Sequence, residues 1–402
     1  MKQLLRNMYV DNKRVILRCD LNVPISNGII LDNTKVVKSL ETINYLLSKN
    51  CKIIILSHLG RVKTEDDKLI NTLEPVKNNL EKLLNRPIKF TKNIVSEETK
   101  NLAFNLQARE ILLLENTRHL DVPNKLESVE NEEIAKYFAS LGEIYVLDAF
   151  ASAHRSHTSV TGIPKYLPSC LGFLVEKELS MLDKTFNYPA RPFAVLMGGA
   201  KVDDKLPIIK SMLTKCDYLL LSGGIANSFL YALGLNVGSS LKTDNPEIIN
   251  ELKTLMFKYK EKFALPLDVV VTTTYEESVK IKNTNEIDNN DIIKDIGIKT
   301  INKYKRIINE SNTVFINGTV GVHENEKFNN GTIEIFNILK QAPDKVVIGG
   351  GDTVSALNNL GFKDAFTNIC SGGGASLEYI ANGHLPGIDV IAEEDEIEIL
   401  DL

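Results

Sequence analysis

Short apolar runs alternate along the whole chain with stretches whose apolar positions recur at helical spacing. In the first half the runs are Val15-Ile16-Leu17, Ile53-Ile54-Ile55-Leu56, Ile111-Leu112-Leu113-Leu114 and Ile144-Tyr145-Val146-Leu147. In the second half they are Phe193-Ala194-Val195-Leu196-Met197, Tyr218-Leu219-Leu220-Leu221, Thr313-Val314-Phe315-Ile316 and Val346-Val347-Ile348. Runs this short and this continuously apolar predict strands buried on both faces, and the amphipathic stretches between them predict the covering helices of an α/β fold. One such helix opens at Asn33-Thr34-Lys35 and is apolar at Val36, Val37, Leu40, Ile43, Leu46 and Leu47; another covers Leu73 to Leu84. A third, Phe173 to Asn187, is apolar at Val175, Leu179, Leu182 and Phe186 and is stopped by Pro189, which makes it a candidate connector between domains. Residues 282–295 are rich in Asn, Asp and Lys and read as an exposed loop.

The residues just after each strand carry the chemistry. The strand ending at Ile348 feeds Gly349, Gly350 and Gly351, then Asp352-Thr353 and a helix start. Glycines let backbone N–H groups approach an anion, the helix N-terminus adds partial positive charge, and Asp352 offers an oxygen to a phosphate-bound metal. A turn of this kind also occurs for geometry alone, but a second glycine run, Gly372-Gly373-Gly374, comes soon after with the same grammar. Two such loops suggest a polyphosphate. Lys201 and Lys205 are four apart after Gly198-Gly199, which predicts two ammonium groups on one face of a helix's opening turns.

The first half ends its strands differently. Arg18, Asp20 and Asn22 come after the first run, and Ser57-His58-Leu59-Gly60-Arg61 after the second. Glu115-Asn116-Thr117-Arg118 and Asp148 through His154-Arg155-Ser156-His157 close the next two. In an open α/β sheet ligands bind beyond the strand C-termini, so four strands ending in cations and hydrogen-bonding groups predict a shared anion pocket. Lys35, in a helix's first turn, opposes the dipole there unless it snorkels or finds an anion.

Composition sharpens this division. Eight of the ten arginines precede residue 170, whereas most of the glycines lie beyond it. One half thus offers guanidinium forks and the other bare backbone, two ways of holding different anions. A length of 402 residues favours two or three domains, and a net charge of −5 argues against nucleic-acid and anionic-membrane partners. The N-terminus has no long apolar core and no apolar run approaches bilayer length, so a cytoplasmic protein is expected. The cysteines Cys19, Cys51, Cys170, Cys216 and Cys370 are scattered and odd in number, which predicts free thiols and neither disulfide framework nor zinc site.

The ordered motifs RCDLNVP (18–24), SHLGR (57–61), LENTR (114–118), DAFASAHRSH (148–157), GGAKVDDK (198–205), SGGIANSF (222–229), DIG (295–297), NGTVGVHE (317–324), IGGGDT (348–353) and SGGGASLE (371–378) resemble phosphoglycerate kinases from end to end. The resemblance implies two doubly wound parallel-sheet, Rossmann-like α/β domains joined by a central helix. Their expected spans are 1–170 for the acid substrate, 171–188 for the helix, 189–385 for the nucleotide, and 386–402 for a tail packing back on the first domain. It implies a monomer that closes by hinge bending and moves the acyl phosphate of 1,3-bisphosphoglycerate to ADP, giving 3-phosphoglycerate and ATP, with Mg2+ as cofactor. By position, Asp20, Asn22, Lys35, His58, Arg61, Arg118 and Arg155 bind the acid; Lys201, Lys205, Ile293, Asn317, Glu324, Gly350, Gly351, Asp352 and Thr353 bind the nucleotide. Asp352 holds the metal, and Lys35, Lys201, Gly373 and Gly374 are catalytic.

The sequence also departs from the family pattern. Lys35 stands for an arginine and Ile293 for a glycine on the adenine side; other changes are Val62, Ile298, Ile316, Thr319, His323 and Cys370-Ser371. Lysine keeps the charge but loses the planar fork, which predicts a slower enzyme. The rival reading is a degenerate, non-catalytic nucleotide- and anion-binding protein of the same fold. Retention of Asp352, Lys201 and Lys205 favours the enzyme. A dinucleotide-dependent dehydrogenase is disfavoured by the lack of a strand-linked GxGxxG with a distal acidic residue.

Overall fold

The computed structural model describes residues 2–273, 278–370 and 372–394. Its described residues fall into two compact units, one comprising those up to Leu179 and from His384 on, the other Ser180–Gly383. The helix Phe173–Phe186 runs through the point of division.

The first unit contains β1 (Arg14–Cys19), β2 (Ile25–Ser26), β3 (Ile29–Ile30), β4 (Lys52–Leu56), β5 (Lys89–Thr91), β6 (Ile111–Leu114), β7 (Ile144–Asp148) and β8 (Ser169–Leu171). Six of these form one sheet in the order β5-β6-β4-β1-β7-β8, with every pair parallel, while β2 and β3 make a small hairpin. Their side chains explain the arrangement: Leu17, Ile55, Leu113 and Val146 are fully buried and pack with Val36, Ile43, Leu46 and Leu47 of the helix Thr34–Ser48. From β1 the chain winds out through β4, then returns to build β7 on the other side. The loops after β1, β4 and β7 therefore converge at the switch point where α/β sheets bind ligands. Parallel pairing of Arg18 with Leu56 and of Cys19 with Asp148 sets Asp20, His58 and the 149–157 segment at the same end.

The second unit contains β9 (Phe193–Met197), β10 (Tyr218–Leu221), β11 (Phe263–Ala264), β12 (Asp268–Thr272), β13 (Lys280–Asn283), β14 (Ile292–Ile296), β15 (Thr313–Asn317) and β16 (Val346–Gly349). A parallel five-stranded sheet runs β11-β10-β9-β15-β16, beside an antiparallel sheet β13-β12-β14. The smaller sheet narrows the reading of 282–295 as a loop to 284–291, since β13 takes 282–283 and β14 takes 292–295. Polar residues hide it, but Ile287 is buried with Val269 and Val271, Ile293 packs on them, and Lys282 Nζ clamps Asp288 and Asp291 at 2.7 and 2.6 Å. Among the described residues no strand leads directly into the second glycine run; Ile369 forms an isolated bridge with Ile348 instead.

Near the C-terminus, Gly387 N–H donates to Ala153 O at 2.8 Å, and Gln3 N–H donates to Ala392 O at 2.9 Å. Residues 395–402 of the expected tail, and Ser371 of the second glycine motif, lie outside the described residues.

Candidate active site

In the first unit a cavity of about 650 Å3 is lined by Arg61, Val62, Lys63, Arg118, Asp121, Pro123, Lys125, Ser128 and Arg155. Arg118 is anchored by Ser128 Oγ at 3.3 Å and Asp121 Oδ2 at 3.6 Å, while its buried Nε has no partner. Burial, and then the Arg155 charge, lower the pKa of Arg118. Partly desolvated guanidiniums set against one another are costly unless an anion completes the site.

Deeper in the unit, the fully buried Arg18 donates to Ser159 Oγ at 2.8 Å and to His58 Nδ1 at 3.2 Å. Arginine cannot accept, so Nδ1 of His58 is the acceptor and the neutral ring carries its proton on Nε2. Burial first, then the charges of Arg18, Arg118, Lys35 and Arg155, hold His58 well below the ordinary histidine range. His157 is pushed down to about 3 by burial and then by Arg118, Arg18 and Arg155. Both imidazoles thus serve as neutral hydrogen-bonding groups near pH 7. Asp20 accepts from Asn22 N–H at 3.2 Å and meets Lys35 Nζ at 2.8 Å, and Asn22 Oδ1 accepts from Gly60 N–H at 2.9 Å. The expected anion near Lys35 is therefore a carboxylate of the protein itself.

In the second unit a cavity of about 370 Å3 is walled by Gly199, Ala200, Gly223, Gly224, Asn227, Pro266, Ile293, Asp295, Thr319, Gly321, His323, Glu324, Asp352 and Ser355, among others. Close backbone packing explains two of the glycines. A Cβ on Gly224 would stand 2.0 Å from Ala200 O, and one on Gly198 would stand 1.9 Å from Thr319 O. Lys205 Nζ donates to Gly198 O at 2.8 Å and Asn317 Oδ1 at 2.7 Å, which leaves one ammonium N–H for a ligand. Burial lowers the Lys205 pKa, and Asp352 opposes that shift. The buried Asn317 Nδ2 has no partner; it lies under the turn at Gly350, where a Cβ would come within 2.8 Å of it. Gly350 itself has φ +86°, in the left-handed region that favours glycine. Thr353 spends its hydroxyl internally, donating to Gly349 O and accepting from Gly318 N–H, each at 2.7 Å.

Other expected residues fall differently. Lys201 is an exposed loop residue and Lys205 is the N-cap of the helix Leu206–Lys215, so the pair does not share a helical face as expected. Pro207 near that helix's start makes a later N-terminus natural. Ile293 lines the cavity while also packing on the Val269 cluster. Glu324 is 66 % exposed, with Oε2 3.2 Å from His323 Nδ1, and the buried His323 Nε2 is unpartnered. Gly351 opens the helix Gly351–Asn359, and Gly373, with φ +54°, caps Gly374–Asn382. Sequence reasoning missed Lys125 and Ser128, which lie after no strand and carry no motif signal.

Asp352 is the candidate metal ligand. No group of three or more His, Cys, Asp or Glu suited to a metal occurs among the described residues. A single carboxylate fits Mg2+ arriving on a nucleotide, because that ion keeps much of its shell as phosphate oxygens and water.

An arginine-lined anion cavity in one α/β unit, and a glycine-framed cavity with a lysine and a carboxylate in the other, define a two-unit protein that binds a small anion and a polyphosphate. The family model for phosphoglycerate kinase matches residues 5–383. The chain is 39% identical over 400 residues to a phosphoglycerate kinase of Fusobacterium nucleatum, covering 98% of this chain and 100% of that one. It is 39% identical over 397 residues to a phosphoglycerate kinase of Listeria innocua, with coverage of 98% and 100%. The solved phosphoglycerate kinase structure from Coxiella burnetii matches with a TM-score of 0.88 and 32% identity, over 97% of this chain and 99% of that one. That from Pyrococcus horikoshii matches at 0.79 and 28%, over 100% of each. The chain belongs to the phosphoglycerate kinase family.

Proposed function

We propose that this protein is a working phosphoglycerate kinase. It moves the acyl phosphate of 1,3-bisphosphoglycerate to ADP, releasing 3-phosphoglycerate and ATP, and runs reversibly. The acid's phosphate end occupies the cavity of Arg61, Arg118 and Arg155, whose unpaired donors and mutual repulsion call for an anion. Asp20, Asn22 and the Nε2 proton of neutral His58 orient the glycerate, and Lys35 faces the reacting carboxyl while held by Asp20. The nucleotide takes the second cavity. Its phosphates meet Lys205, Asn317 Nδ2 and the backbone N–H groups of Gly350, Gly351 and Gly372 to Gly374; Glu324 reaches the ribose and Ile293 borders the base. Lys201, on its exposed loop, follows the transferred group.

In the reaction the bond from phosphorus to the carboxyl oxygen breaks, its electron pair stays with the carboxylate, and a β-phosphate oxygen of ADP forms the new bond. No protein atom bonds to phosphorus, so positioning and charge neutralisation supply the rate. Asp352 would hold Mg2+ together with the nucleotide, and the bound ion would supply positive charge at the phosphates. A monomer is sufficient, because each cavity is built within one chain. The five free, buried cysteines are in keeping with a reducing cytoplasm.

The observation that carries this reading is the Lys205–Asn317 pair, with donors left over beneath Gly350 and beside Asp352. Coupled-assay turnover with 3-phosphoglycerate and Mg-ATP tests it. Activity in the wild type that Asp352→Ala abolishes is expected. ADP binding without turnover would support the non-catalytic alternative instead.

A further inference from the structure

The second unit has another cavity, of about 580 Å3, which shares Pro266 with the nucleotide cavity but is otherwise lined by different residues. Its lining is mostly apolar. Leu230 and Met256 are buried there, whereas Leu233 and Phe257 stay 54% and 90% exposed. Large side chains left in water beside a concave apolar surface mark a binding site more often than a passive surface.

Its charged groups have one sign. Lys253, Lys260 and Lys303 line the cavity, and none forms an ion pair among the described residues. Glu251, on the same helix as Lys253, is already taken by Lys210. Lys303 is partly buried, donates to Leu265 O at 3.0 Å, and has its pKa lowered by burial and then by Arg306. An ammonium in that setting lacks an anion. Pairing with a second copy of the chain would set lysines against lysines.

We propose that this cavity binds an amphiphilic anion, an apolar chain ending in a carboxylate, with the chain against Leu230, Met256 and Phe263 and the carboxylate among the three lysines. This goes beyond the kinase reading and does not depend on it.

Isothermal titration calorimetry of the full chain with decanoate, decanol and decyltrimethylammonium tests it. Decanoate is expected to bind at one saturable site, about fivefold or more tighter than decanol, with the cation not binding. Excess inorganic phosphate should not displace it, which separates this site from the arginine cavity. The double variant K253E/K260E should weaken decanoate about tenfold, and Leu233→Trp, which fills the cavity, should abolish its binding. Both variants should keep wild-type kinase turnover, which also checks that they fold. The proposal is overturned if decanol binds as well as decanoate, if phosphate competes, or if either variant binds decanoate like the wild type.

Discussion

Lys35 Nζ lies 2.8 Å from Asp20 Oδ2, so the cation that opens the helix Thr34–Ser48 is held by a carboxylate from the loop after β1. The contact resolves the conflict between a positive charge and the positive end of a helix dipole. It also occupies one N–H of an ammonium whose three donors all radiate from a single point. An arginine fork could hold Asp20 with one arm and reach onward with the other. Lys35→Arg is therefore expected to raise turnover, on the order of threefold to tenfold, with an unfolding free energy changed by less than about 0.5 kcal/mol. Steady-state kinetics and urea titration read the two quantities. An equal or lower rate would mean that the surrounding pocket has adapted to lysine.

Gly350 combines φ +86° with a Cβ direction that meets Asn317 Nδ2 at 2.8 Å. Gly350→Ala must strain the turn and push Asn317 away. A loss of about 1–2 kcal/mol in stability is expected, together with several-fold weaker ADP binding by calorimetry. Unchanged ADP affinity would detach this turn from the phosphate site.

Ile293 borders the nucleotide cavity and leans on Val269, Val271 and Ile287. Ile293→Gly should open the base side and tighten ADP, while costing about 1–3 kcal/mol of stability through lost packing and a flexible residue in β14. The two effects separate cleanly, since ligand titration reads the first and chemical denaturation the second. Flat affinity would remove crowding of the base as an explanation.

Asp295 lines the same cavity and accepts from Gly331 N–H at 2.7 Å and Ile296 N–H at 2.8 Å. Burial nevertheless raises its pKa from 3.8 to about 7, against those two hydrogen bonds. Between those values the folded protein binds more protons here than the unfolded chain does. Its contribution to stability is therefore fully present below about pH 4 and is lost as pH rises to about 7. Asp295→Asn cannot titrate, so it should destabilise more at pH 5 than at pH 8, by a few kcal/mol at most. Denaturation midpoints of both proteins at the two pH values measure the difference. A pH-independent gap would show that Asp295 ionises normally.

The sequence by itself determined the α/β class, the strand positions and which half holds arginines and which glycines. Those features are local: short, β-branched apolar runs bounded by polar and turn residues favour buried strands, and the residues just after each run land at one edge of a parallel sheet. It also exposed Asp352 and Gly350, because a turn from strand to helix needs residues of those types. Only the tertiary structure decided that Asp20 neutralises Lys35, that Ser128 and Asp121 brace Arg118, and that Arg18 fixes the tautomer of His58. Arg18 and His58 lie 40 residues apart and meet because β1 pairs with β4, while the Asp20–Lys35 and Arg118 contacts depend on how the segments after β1 and β6 fold, which the apolar pattern does not encode. Two expectations failed for different reasons, the helical start at Lys201 for a local one and the two ends of the loop at 282–295 for a non-local one. In the first case a proline delays the helix, and in the second the apolar contacts of Ile287 and Ile293 come from a strand that precedes them.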